Sequence, residues 1–419
     1  MIQKIQNFLI LIYFPFFFIC IEISKLYGIE SLIVLSNLPL LLYLLINLKS
    51  EKAKFSIIRN DFLIILISFY LLLQFFATLK NDSIYLALAN IITFISLYFF
   101  SISFYKISDF MSFEEKMKYL YISIIFAFVL VISPLLLKGS LVIGSHYKLL
   151  FDASNIGGQK LPFLKTTLDA PNLAAIVFLI SFYLILNKNK VLKINVIFLI
   201  FSFILSLTEL LLINRRGPMF GAFISIFFLL APRVFISIVP ILLFIPFYWD
   251  SILKILVPLF YNSPITNLIA NKDYSNLVEA GYRSYVWEVV GGLFINPSFS
   301  SSYMFGYGKL PELEKLGGYG HAHNGFLQLF LLSGIIAPVV LLLIVAITLF
   351  RSFYILKIGG SSFSKLLPLV FFYLFFVSAT ESIFLNNFFS NNLFLIILFL
   401  INISYYHNIK LKQNVKSTK

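Results

Sequence analysis

The chain has 419 residues, of which 60% are hydrophobic and 12% charged, with a formal net charge of +14 and a single cysteine. So apolar a composition excludes a soluble globular chain, which must cover itself with polar surface, and makes a lipid bilayer the expected solvent. The one cysteine, Cys20, excludes an internal disulfide and a cysteine metal site. The basic residues sit in short breaks between apolar runs instead of on one patch, so no nucleic acid is expected as a partner.

Runs near the ~20 residues needed to cross a ~30 Å hydrocarbon core recur from Phe8 to Tyr406. They predict an all-α polytopic membrane protein, one integral membrane domain over residues 1–419, with about twelve transmembrane helices. The first run, FLILIYFPFFFIC, follows Lys4 like a signal peptide but lacks a small-residue cleavage site, and reads as a retained helix over 8–25. Further spans are expected at 30–47, 61–79, 84–105, 118–137, 171–187, 194–212, 217–232, 234–249, 325–350, 365–382 and 387–406. The eighth and ninth are short, and only Pro232 and Arg233 separate them.

Basic residues near span ends resist translocation and so fix orientation. Lys4, the group Lys49 to Arg59, the group Lys106 to Lys118, Lys188 to Lys193, Arg233, Arg351 to Lys365 and the tail Lys410 to Lys419 fall on alternate breaks. Those breaks, and both termini, are expected in the cytoplasm. Outside the stretch 250–324, the opposite breaks hold only Lys25, Lys80, Lys138, Lys148, Lys160, Lys165, Arg215 and Arg216. Two loops on that opposite side, over 138–170 and 250–324, exceed ordinary connection length, and long loops in a compact fold are usually functional. In the second, between the ninth and tenth spans, LVEAGYRSYVWEVVGGLF suits one or two helices lying at the interface.

Four polar clusters face this outer side. TTLDAPNLA, with Asp169 and Asn172, opens span six; INRRGPMF, with Arg215 and Arg216, joins spans seven and eight. GYRSYVWE, with Arg283 and Glu288, lies in the large loop, and GHAHNGFLQLFLLSGIIA, with His321, His323 and Asn324, runs into span ten. Arginines at the outer end of a helix pair oppose the insertion rule, and phosphate is a good reason for them, because a planar guanidinium grips phosphoryl oxygens bidentately. Snorkelling to lipid headgroups is the alternative for each one alone. Histidine is scarce, with only four in the chain, and a neutral imidazole is the side chain best tuned to take a proton near neutral pH. The alternate spacing in HAHN does not suit a helical zinc pair, and no carboxylates cluster in the outer loops, so no metal is expected. HAHN also fits a capping turn with Asn324 at a helix start, and DAPN fits a helix start with Pro171 in its first turn. Glu209 and Glu381 fall in or near outer span ends, where buried carboxylates are costly and often functional, though pairing with Arg215 or Arg216 would account for them.

In their order, DAPN at a span start, RRG after a later span, GYRxxxW in a large outer loop, a downstream GYG and then HAHNGFLQLFLLSGIIA, these motifs resemble the bacterial O-antigen ligase and O-antigen polymerase family over Asp169 to Ala337. The resemblance implies glycosyl transfer on the periplasmic face of the inner membrane. The donor would be an undecaprenyl-pyrophosphate-linked glycan and the acceptor a sugar hydroxyl, with no nucleotide sugar, metal or other cofactor. It further implies that Arg216 and Arg283 bind the donor pyrophosphate, that His323 is the base and that His321 supports it. Asp169, Asn172, Glu288 and Asn324 stand as supporting residues, with Asp169 and Glu288 the alternative bases. RRG departs from the family pattern, where a small hydroxyl residue commonly precedes Arg-Gly, so the part played by Arg215 stays open. An acceptor that is another lipid-linked repeat makes a polymerase, the preferred expectation, and a lipid A core acceptor makes a ligase. A chain-length regulator protein is an admissible partner. A flippase or transporter of lipid-linked oligosaccharide, which should show interrupted helices, is the competing class; a structural membrane subunit would leave the arginine and histidine clusters unexplained.

Overall fold

The computed structural model describes residues 2–27, 29, 31–46, 61–81, 84, 87–88, 91–93, 95–96, 113–137, 169–187, 193–213, 216–230, 289–295, 300–307, 324–358, 363–380 and 406. Among them every regular element is a helix and there is no strand. The labelled helices are α1 (Ile2–Tyr27), α2 (Ser31–Leu35), α3 (Phe62–Asn81), α4 (Phe113–Leu137), α5 (Asp169–Leu186), α6 (Val196–Ile213) and α7 (Arg216–Leu230). They continue with α8 (Ser301–Phe305), α9 (Gly325–Ser333), α10 (Ile336–Ile358) and α11 (Phe363–Thr380). The expected spans 234–249 and 387–406 lie outside the described residues, apart from Tyr406, and span 84–105 is described at isolated positions only. By length and composition one described helical stretch, Ile2–Ile21, is long and apolar enough to cross a membrane, and seven shorter apolar stretches accompany it.

Local chemistry sets the helix starts. Asp61 caps α3 by accepting the Leu63 amide at 2.8 Å, and Asn195 caps α6 by accepting the Ile197 amide at 2.9 Å. Asp61 also takes Arg351 of α10 in a fork, at 2.7 and 2.9 Å, with the guanidinium 4.7 Å from the centre of the Tyr406 ring. This joins the start of α3 to the far end of α10, so the two helices run antiparallel. Near the start of α4, Lys118 Nζ donates to the Lys193 carbonyl ahead of α6 at 3.5 Å. At the opposite end of α3, Lys80 Nζ donates to the Gly306 carbonyl at 2.9 Å.

Two expected spans are interrupted. After α2 the chain turns at Ser36 and Asn37 before a helical stretch over 38–46, and buried Asn37 donates to Thr93 Oγ1 at 2.7 Å. The expected single helix over 325–350 is two helices, broken at Gly334 and Ile335. Gly334 has φ +72°, a left-handed conformation that suits glycine, and Pro338 sits in the first turn of α10, where its missing amide hydrogen costs nothing.

The centre of the described structure is α5, buried without interruption from Asn172 to Ile180 and packed against α4, α6, α7 and α11. A helix apolar all round belongs in such a place. Tyr121 of α4 shares a hydrogen bond with Ser181 of α5 at 2.5 Å. Phe178 of α5 stacks on Phe203 of α6 at 5.3 Å and meets Phe223 of α7 edge-on at 6.5 Å. These rings fix the register of three consecutive helices.

Candidate functional site

Six residues beyond each of those rings, about 9 Å along the axes at ~1.5 Å per residue, come Asn172, Glu209 and Gly217. The three positions therefore form one layer above an aromatic floor. Asn172 is fully buried there, and its Oδ1 accepts a hydrogen bond from the Tyr373 hydroxyl of α11 at 2.6 Å. Glu209 is 8% exposed, and its Oε1 has no hydrogen-bond partner among the described residues. Burying an acceptor without a partner costs free energy, which singles out Glu209 in a helix whose Ser202 and Ser206 hydroxyls bond its own carbonyls.

The layer holds the starts of two helices that carry predicted motifs. Asp169 begins α5 with Pro171 in its first turn, and Arg216 begins α7 with Pro218 in its first turn. Proline fits there because first-turn amides have no partner within the helix. A third motif arrives through α9. Asn324 is its cap, in extended backbone, with Oδ1 accepting the amides of Phe326 at 2.9 Å and Leu327 at 3.1 Å. The capping role expected for HAHN is therefore met by its asparagine.

All three starts lead to one short stretch of α11, Tyr373 to Val377. Asn172 bonds Tyr373 directly. Gly221, in the second turn of α7, lies so close that a Cβ there would stand 2.8 Å from Val377 Cγ2 and 3.4 Å from the Tyr373 ring. Phe326, in the first turn of α9, meets Phe375 edge-on at 5.9 Å. Helix starts carry partial positive charge, so gathering three of them favours an anion nearby, although Asn324 already takes two amides of α9. Among the described residues no group of three or more His, Cys, Asp or Glu could hold a metal ion.

Of the predicted site residues, Arg215, Arg283, Glu288, His321 and His323 lie outside the described residues. Asp169 and Arg216 are placed as helix starts, and Asn172 and Asn324 are placed with their hydrogen bonds. Sequence reasoning missed Tyr373, because a tyrosine inside VFFYLFF looks like every other aromatic filler of this chain. The chain matches no protein-family model and no curated protein.

Proposed function

We propose that the chain is a multi-pass membrane glycosyltransferase of about twelve spans, working on the outer face of the bacterial inner membrane without cofactor. The observation that carries the reading is the convergence of the DAPN, RRG and HAHN helix starts on Tyr373 to Val377. Three clusters far apart in sequence have no structural need of one another, yet a transferase needs its anion-binding and proton-accepting groups within one substrate length.

The donor is an undecaprenyl-pyrophosphate-linked glycan, held through its pyrophosphate by Arg216 and Arg283. The acceptor hydroxyl oxygen attacks the donor's anomeric carbon as His323 removes its proton. The bond from that carbon to the pyrophosphate oxygen breaks, and undecaprenyl pyrophosphate leaves with the electron pair. When the acceptor is another lipid-linked repeat the reaction is polymerisation, our preferred form; a lipid A core acceptor would make it ligation.

Support for the orientation comes from contacts that join positions assigned to the same side. Lys118 meets Lys193; Arg351 meets both Asp61 and Tyr406; and Lys80 meets Gly306 of the outer loop. Lys80, an exception to the charge rule, has a local role there that explains its position. The test is accessibility to an impermeant thiol reagent, with Lys193→Cys, Ser417→Cys and Gly318→Cys each introduced into a Cys20→Ser background. In intact spheroplasts only the Gly318 variant is expected to react, and reaction at Ser417 would overturn the map.

The breaks at Ser36–Asn37 and Gly334–Ile335 favour a second reading, a transporter of lipid-linked glycan, because many secondary transporters build their sites from interrupted helices. In that reading the donor would cross the bilayer chemically unchanged.

A further inference from the structure

The break between α9 and α10 is closed by another part of the chain. Ile335, just after the break, donates its amide to the Tyr303 carbonyl at 2.9 Å, and Tyr307 donates its amide to the Leu331 carbonyl at 2.8 Å. The two backbones touch at a pair of glycines, Gly306 with φ +103° and Gly334 with φ +72°. A Cβ on Gly306 would be driven into the Leu332 carbonyl, and one on Gly334 into the Met304 carbonyl. Only glycine permits both the left-handed backbone and so close an approach. Irregular backbone at membrane depth is tolerated where other protein groups satisfy it, and the Ser301–Tyr307 segment supplies that satisfaction here.

Side chains reinforce the crossing. Phe330 of α9 is ringed by Phe294, Tyr303 and Tyr307 at 5.2, 5.5 and 5.7 Å between centroids. The Tyr303 hydroxyl donates to the Phe294 carbonyl at 3.1 Å. From α3, Lys80 holds the Gly306 carbonyl, and Gln74 donates to Ser333 Oγ at 3.2 Å. The last turn of α9 is thus pinned by the loop segment and α3, while its first turn rests on α11 through Phe326 and Phe375. Nine residues make α9 a rod of about 13 Å. In the sequence His323 is the residue before the Asn324 cap.

We propose that Ser301–Tyr307 is a strap that positions α9, and through it His323, for proton removal from the acceptor. The role rests on the transferase reading above. A short rod held at both ends passes a tilt of its last turn to its first, and a 1 Å misplacement of a reacting group can cost about a hundredfold in rate. The strap residues touch neither donor nor acceptor in this scheme; they act through α9.

The test combines turnover of lipid-linked donor with amide hydrogen exchange at Tyr307 and Ile335, in full-length protein in detergent. Gly334→Ala should expose both amides and lower kcat about a hundredfold at unchanged donor KM. Lys80→Ala, at a residue exposed enough to spare the fold, should speed exchange and lower kcat roughly tenfold, the size of one hydrogen bond from a charged donor. Lys80→Arg should restore both. Faster exchange in Lys80→Ala with unchanged kcat would overturn the positioning role, as would a kcat loss that Lys80→Arg fails to recover. A wild-type protein whose amides are protected but which transfers no glycan would instead overturn the transferase reading, and the positioning role with it.

Discussion

Replacing His323 by alanine is expected to remove glycosyl transfer by about 10² to 10⁴-fold, the usual contribution of a positioned general base. Donor affinity should be nearly intact, since the proposal gives the pyrophosphate to Arg216 and Arg283. The reasoning starts from the acceptor, because a neutral sugar hydroxyl is a poor nucleophile and its proton must leave as the new bond forms. The Asn324 cap holds the first turn of α9, the turn that follows His323 in the sequence. His321→Ala should do less harm. Activity of the wild type should also fall on acidification, because a protonated ring cannot accept. Single-turnover rates and donor binding measured separately decide the matter. Lost affinity with unchanged turnover at saturation would make His323 a phosphate ligand and move the base to Asp169 or Glu288.

The second large effect is expected at Arg216 and Arg283. Each charge-assisted contact to a phosphoryl oxygen is worth ~1.5 to 3 kcal/mol, or about ten- to over a hundredfold in rate if felt in the transition state. Arg216→Ala and Arg283→Ala should lose that much in kcat/KM. Arg216→Lys and Arg283→Lys should lose less, since lysine keeps the charge but not the planar fork. Arg216 starts α7, where the partial positive charge of the helix end favours an anion as well. Near-normal turnover of both alanine variants at matched expression would remove the arginines from the site.

The helices were legible in the sequence because their signals are compositional. The apolar stretches beginning at Phe62, Phe113, Asp169, Val196, Arg216 and Phe363 begin within about five residues of expectation, and the caps at Asn324 and the first-turn prolines at 171 and 218 were chemically readable. The break at Gly334 was not read, although SGIIAP holds a glycine stop followed by a first-turn proline. An unbroken apolar run masks such punctuation, since hydropathy reports burial and not backbone direction. Tyr373 was invisible for a related reason. Its hydroxyl matters only because Asn172, two hundred residues away in sequence, opens the central helix at the same height. Lys80 looked like an anomaly of charge placement until the Gly306 carbonyl gave it a partner. In each case the missing information was a tertiary contact, which residue spacing along one helix does not carry.

The central claim is that this chain makes a glycosidic bond from a lipid-linked donor, and one assay tests it most directly. Purified wild-type protein would be given a single undecaprenyl-pyrophosphate-linked repeat unit, a metal chelator and no lipopolysaccharide. The account predicts a ladder of lengthening lipid-linked products, with one undecaprenyl pyrophosphate released for each bond made. Donor recovered intact, both there and after lipid A core acceptor is added, would contradict it; donor moved unchanged across a liposome bilayer would establish the transporter in its place.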